Sequence, residues 1–383
     1  MIKLVSDTID KNDISSLVEW LTKGEIPILT KNSLTIELEK KWAKKMGTKY
    51  SVFVNSGSSA ILLGLTALLF SRKLKNKKIV VPSLSWATDV SSPIILGMEP
   101  LMCDCNLEDL SCDLVHLKKI FSEHSPSVFI LVSALGFVPK MDKIVDLCNE
   151  YDVILLEDVC ESMGSKFENT YLGNFGFASF FSLYFGHHIS TIEGGFINTN
   201  DEDFYYSLIM MRSHGWDRDL PQIKQKELRE KFNVDDFSSL YNFYLPGFNL
   251  RSTDLQAFLG LRAIDKLDNF SKKRNENLQI YLNNLKENML DLKFETNTFN
   301  SNFAFPVLSE KRDKIVKSLI QNHIEVRPLI AGDMSKKPMW YNLYDKVNLK
   351  NSEKIDKFGF YLPNHQDLDY DDIIKICSII KNV

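Results

Sequence analysis

The sequence predicts an α/β protein, with a mainly parallel sheet covered by helices on both faces and a smaller α+β domain at the C-terminal end. Three observations carry that expectation. Apolar runs of strand length at 78–82, 101–103, 128–132 and 153–156 alternate with helical patterns, the grammar of βαβ units. The runs are nearly continuous in Val, Ile and Leu, as in strands buried on both faces. The chain has 383 residues and is 44% apolar, more than a single core usually organises, since cores seldom grow past roughly 250 to 300 residues.

Each element follows in order. A short apolar run leads into Asn55-Ser56-Gly57-Ser58-Ser59-Ala60, which opens an apolar helix over 61–69. After the strands at 78–82 and 101–105, a helix at 142–150 separates two further strands, with Ile144, Val145, Leu147 and Cys148 at helical spacing. Segments 177–182 and 195–199 read as strands and 201–212 as a helix. Residues 220–236 are charged and nearly free of aromatics, which suits an exposed loop or short helix. A long helical pattern begins at Thr253, and 302–307 is a separate apolar strand. The expected division is a large domain over 1–250 and a small one over 251–383.

Net charge of -4 and a pI near 6.0 give no basic footprint for nucleic acid or an anionic membrane. No apolar run has transmembrane length, and the first seven residues turn polar too early for a signal peptide. A soluble cytoplasmic protein with no nucleic-acid or membrane partner is expected. The six cysteines are widely scattered, which favours reduced thiols. Cys103-x-Cys105 lacks a second pair to complete a metal site, so a structural role is expected and no metal.

Four segments carry chemistry. The turn at Asn55–Ala60 offers backbone N–H groups and hydroxyls at a helix N-terminus, suited to a phosphate, although Ser58 can also serve as a plain N-cap. Trp86 follows a core strand in Pro82-Ser83-Leu84-Ser85-Trp86, where packing and ring stacking are both open. Leu155-Leu156-Glu157-Asp158-Val159-Cys160-Glu161-Ser162 places carboxylates at the C-terminal end of an apolar strand, where open α/β sheets bind ligands. Ser182 stands five residues before His187, and His187-His188 precede Glu193-Gly194-Gly195. Further on, Pro246-Gly247-Phe248-Asn249-Leu250-Arg251 runs into a helix capped by Ser252 or Thr253.

Taken in order, these motifs resemble the DegT/DnrJ/EryC1/StrS sugar aminotransferase family. The resemblance implies a fold type I (aspartate aminotransferase-like) enzyme of pyridoxal 5'-phosphate (PLP) and pyridoxamine 5'-phosphate, with a seven-stranded sheet. It assigns the cofactor phosphate to Gly57, Ser58 and Ser182, ring stacking to Trp86, the pyridine nitrogen to Asp158, and a further cofactor contact to Glu161. Asn249 reaches the partner subunit's cofactor in such proteins, which implies a homodimer.

The family's usual lysine, which carries the cofactor covalently, stands six residues before the Glu of Glu-Gly-Gly. Here that position is His187, and His188 takes its place if the turn shifts by one residue. An imidazole moves protons but cannot form that covalent bond. Within the family this exchange resembles the 3-dehydratases, and segments 212–219 and 324–333 resemble the branch acting on GDP-4-keto-6-deoxy-mannose. His214, Arg251 and Arg327 are then substrate contacts. The implied reaction takes an amino group from L-glutamate, uses His187 as a base of near-neutral pKa, expels the C3 hydroxyl, and releases ammonia and a 4-keto-3,6-dideoxy sugar for a surface polysaccharide such as O-antigen lipopolysaccharide. The alternatives are a sugar-nucleotide aminotransferase, a non-catalytic binding homologue, and a CDP-sugar 3-dehydratase with an iron–sulfur cluster, which is disfavoured because only Cys377 follows the histidines.

Overall fold

The computed structural model describes residues 1–285, 292–295 and 297–383. Its strands are β1 (Tyr50–Val54), β2 (Lys78–Pro82), β3 (Glu99–Cys103), β4 (Val128–Val132), β5 (Ile154–Asp158), β6 (Lys166–Phe167), β7 (Thr170–Tyr171), β8 (Ala178–Ser182), β9 (Gly195–Thr199), β10 (Thr298–Phe299), β11 (Phe305–Leu308), β12 (Arg327–Pro328) and β13 (Gly359–Leu362). A seven-stranded sheet has the order β1-β9-β8-β5-β4-β2-β3. Pairs β3/β2, β2/β4, β4/β5 and β5/β8 are parallel, and β9 alone runs antiparallel to both neighbours. Every residue of β4, β8 and β9 is buried; β4 reads as an unbroken apolar run for that reason, whereas β8 and β9 also bury Ser179, Ser182, Asn198 and Thr199.

Two apolar layers sandwich this sheet. One packs the Gly57–Ser71 helix against Val52, Val81, Ile130 and Ile197; the other gathers Trp42, Phe53, Phe129, Phe181 and Phe196. Trp42 stacks on Phe196 at 4.7 Å and meets Phe181 edge-on at 5.3 Å, a geometry that adds to simple burial. A second sheet, β11-β13-β12, forms with the helices Arg312–Gln321 and Tyr370–Lys381 nearby, whereas the Asp254–Ala263 helix packs back on the Ser33–Met46 helix.

Several boundaries differ from the sequence reading for identifiable reasons. β5 runs on through Glu157, because the N–H groups of Gly173, Phe175 and Gly176 all donate to its carboxylate and make a buried acid tolerable. β3 stops at Cys103, and Cys105 instead forms an isolated antiparallel backbone pairing with Cys112, both thiols being free. The charged 220–236 segment holds a helix, Gln222–Phe232, with no buried residue. The 302–307 strand starts only at Phe305, since the Asn302 amide donates to the carbonyls of Leu135 and Ala304. Helix Asp254–Ala263 is capped by Thr253, in a capping box with Gln256.

Candidate active site

Between β2 and β4 the chain crosses over and continues the sheet in the other direction, and ligands of open α/β sheets sit at the carboxyl ends of the strands beside such a switch. Trp86 follows β2, Asp158 ends β5 and Ser182 ends β8. All three therefore emerge on the same edge. Trp86 caps the start of the Ala87–Ile95 helix and is 61% exposed.

The Gly57–Ser71 helix begins against β8. Its N-cap is Ser56, whose hydroxyl accepts from the Ser59 N–H at 3.0 Å, so capping falls two residues before Ser58. Ser58 is left with an exposed hydroxyl 2.9 Å from that of Thr88. A Cβ at Gly57 would lie 2.6 Å from the Ser182 Cβ, and one at Gly195 would lie 2.4 Å from the Ser56 carbonyl oxygen. These glycines let the helix N-terminus close on Ser182, gathering N–H groups and hydroxyls of the kind that hold a phosphate.

Asp158 is buried, and the Cys160 N–H donates to its carboxylate at 2.9 Å. Burial pushes its carboxyl above the ordinary range, while that hydrogen bond opposes the shift. Glu161 accepts from the Leu135 N–H at 2.9 Å, and burial pushes its pKa up to about 7. His187 lies across the same loop, with Nδ1 2.6 Å from the Cys160 carbonyl oxygen. A carbonyl only accepts, so Nδ1 carries the hydrogen and Nε2 keeps its lone pair.

The near-neutral pKa expected for His187 is corrected by its surroundings. Burial lowers it to about 4, the Cys160 carbonyl opposing and the Arg274 guanidinium adding to the shift. The imidazole is thus neutral throughout the physiological range. His188 is fully buried and faces away, its Nε2 donating to the Ser301 carbonyl at 2.8 Å.

The remaining sequence-predicted residues form a second group beside the first. The segment 249–251 runs along the end of β1, where the Asn55 N–H donates to the Leu250 carbonyl and Arg251 bridges Val54. Arg251 sits 5.7 Å from the centre of the Trp216 ring, Arg218 4.0 Å from it, and the His214 ring 5.0 Å away. Asn249 is exposed. Arg327 is exposed on β12, paired in register with Tyr361, and both Arg327 and Glu161 act on the Tyr361 hydroxyl. Sequence reasoning missed Asp89, Arg274, Arg218 and Tyr361. Asp89 had a faint signal, an acid in the first turn of an otherwise apolar helix, whereas Arg274 follows two lysines and reads as surface.

A cavity of about 670 Å³ lies at the opposite strand ends, lined by Ser71, Lys75, Ser127, Asp152 and Asp201 among others; of its cations, Arg72 pairs with Asp201 and Lys75 donates to the carbonyls of Tyr151 and Asp152.

The close-packed helix N-terminus, the buried carboxylate at the end of β5 and the exposed aromatic after β2 fit a phosphate, a pyridinium nitrogen and a ring face. Fold and site together define an enzyme of the aspartate aminotransferase-like, PLP-dependent class. The chain belongs to the DegT/DnrJ/EryC1/StrS aminotransferase family, whose profile matches residues 7–381. It is 34% identical over 357 residues to the GDP-4-keto-6-deoxy-D-mannose 3-dehydratase of Escherichia coli O55:H7, covering 90% of this chain and 91% of that protein. The protein of the same name from Yersinia pseudotuberculosis is 32% identical, over 99% and 98% of the two chains. The solved structure of the E. coli GDP-4-keto-6-deoxy-D-mannose-3-dehydratase with bound hydrated PLP superposes with a TM-score of 0.90 at 31% identity, covering 99% of each chain.

Proposed function

We propose that this protein is a lyase that removes the C3 hydroxyl of a nucleotide-linked 4-keto-6-deoxy sugar, GDP-4-keto-6-deoxy-D-mannose, using PLP and an amino group from L-glutamate. The observation that carries this reading is His187. It occupies the position of the family's covalent lysine, and its Nδ1 is held by the Cys160 carbonyl so that Nε2 is the basic atom.

When bound, the cofactor supplies a pyridinium ring that spreads the charge left by proton removal next to it. The chain's residues do the rest. Asp158 holds the ring nitrogen, Trp86 covers one ring face, Glu161 makes a further contact, and Gly57, Ser58 and Ser182 bind the phosphate. His187 takes the proton through Nε2 and returns it to the leaving hydroxyl. The ring's neutrality matters, because a protonated imidazole has no lone pair to accept with. Arg251 and Arg218, gathered with His214 around Trp216, offer two guanidinium cations for a diphosphate beside an aromatic face, and Arg327 closes the sugar end.

A homodimer follows in this reading, with the exposed Asn249 of each subunit reaching the cofactor of the other. The division into domains at 1–250 and 251–383 and a cytoplasmic location belong to the same proposal; no helix among the described residues is long and apolar enough to cross a membrane. An aminotransferase would need a lysine at the cofactor, but Lys166 lies over the Tyr171 ring and Lys140 pairs with Glu108.

The deciding experiment is mass spectrometry of the nucleotide sugar after incubation with PLP, L-glutamate and GDP-4-keto-6-deoxy-D-mannose. A product lighter by one oxygen, with ammonia released, is expected. A product that retains nitrogen, or unchanged substrate, overturns the reading.

A further inference from the structure

Asp89 lies in the first turn of the Ala87–Ile95 helix, three residues after Trp86, and is wholly buried. Among the described residues, neither carboxyl oxygen receives a hydrogen bond of ordinary length and angle from an N–H or hydroxyl donor, and the Trp86 backbone acts on the carboxyl only weakly. What the carboxyl does face is another carboxyl, that of Asp158, with Glu161 beyond. The charges acting on it most strongly are therefore both acidic. Two buried carboxyls in contact without a cation between them do not both ionise, so one proton resides on the pair. Asp158 accepts a well-formed hydrogen bond from the Cys160 N–H at 2.9 Å to stabilise its charge, whereas Asp89 has only the weak influence of the Trp86 backbone. The proton accordingly sits on Asp89.

From this arrangement we infer that Asp89 is a positioning residue: a neutral carboxylic acid that donates its hydrogen bond to Asp158, fixing that carboxylate's direction and making it a weaker proton acceptor. The inference rests on the reading in which Asp158 holds the cofactor's ring nitrogen. An Asp158 restrained in this way leaves the proton on the ring nitrogen, so the ring keeps its charge-withdrawing form. Asp89 acts only through Asp158 and touches no reacting atom.

Two measurements test this, one of them without cofactor. Infrared spectra of the apoprotein at neutral pH should show a protonated-carboxyl C=O band that Asp89→Asn removes; if that variant removes no such band, Asp89 is ionised and the inference fails. The second measurement follows bound PLP labelled with ¹⁵N at the ring by NMR across pH. Asparagine keeps a donor toward Asp158, so in Asp89→Asn the ring nitrogen should stay protonated and PLP affinity should remain within about twofold of wild type. In Asp89→Val the nitrogen should lose its proton at lower pH, with affinity about 10-fold weaker. A valine variant whose ring titrates like wild type overturns the inference, as does an asparagine variant that behaves like valine. Should the wild-type apoprotein take up no PLP, the cofactor reading fails separately, and the infrared band still decides where the proton lies.

Discussion

At the scale of single residues, His187 combines two properties that work against each other. Burial keeps its ring neutral and thus basic, but makes the folded protein sensitive to acid. Folded, the imidazole titrates at about 4, while an unfolded histidine takes up its proton near 6.5. Between those values the unfolded chain binds more protons, so this group's contribution is fully present above pH 6.5 and is lost as pH falls toward 4. Glu161 has the opposite sign, since its pKa is raised to about 7 and its contribution is lost as pH rises through that value. Comparison with a His187→Asn variant isolates the histidine. Between pH 7 and pH 5, denaturant unfolding should cost the wild type about 1 to 2 kcal/mol more than the variant, the half-buried ring keeping it at the lower end. Parallel pH profiles would show that the imidazole is not desolvated. His187→Lys addresses chemistry instead. An amine at this position can bond covalently to the cofactor, so borohydride should fix PLP to residue 187 and deoxygenation should fall by at least an order of magnitude; absence of a trapped lysine would place the cofactor elsewhere.

At the scale of elements, the Ser33–Met46 helix shows how a distant segment completes a local structure. Its own N-cap, Asn32, makes no side-chain capping bond. Asp254, over two hundred residues away, takes that role: its carboxylate accepts from the N–H groups of Asn32, Leu34 and Thr35 and from the Thr35 hydroxyl. A negative charge at a helix N-terminus is favoured by the helix dipole as well. Asp254→Ala would leave several buried donors unmet and should cost about 2 to 3 kcal/mol, read as a lower denaturant midpoint. A loss under about 0.5 kcal/mol would mean that water replaces the carboxylate. Such long-range capping explains what the sequence concealed. β2 and β4 were legible to the residue because strands buried on both faces have no polar alternation to blur their limits. β5 was cut short because nothing in the sequence says that three N–H groups from 173–176 fold onto Glu157. At the site, Asp158, Ser182 and His187 were singled out through the order and spacing of motifs that resemble the family's, whereas Asp89 and Arg274 have only tertiary neighbours that no local pattern encodes.

At the scale of the whole molecule, the proposed site draws on two subunits, and this has a consequence that single-chain geometry does not. Asn249 is exposed beside the second group of residues, on a segment held to β1 and to Ser213 by backbone bonds, so its side chain is presented outward from a rigid base. If it serves the partner's cofactor, each site contains His187 from one subunit and Asn249 from the other. A dimer of one His187→Asn chain and one Asn249→Ala chain then concentrates both changes in one site and leaves the other wholly wild type. Mixed dimers of two variants that are each impaired should therefore regain up to about half the wild-type turnover, because one of two closed sites is intact. Were Asn249 to act within its own chain, every site in the mixture would carry one change and no activity would return. The mixed dimer, isolated with two different affinity tags and assayed by release of ammonia, distinguishes these outcomes even where the loss from either single variant is modest.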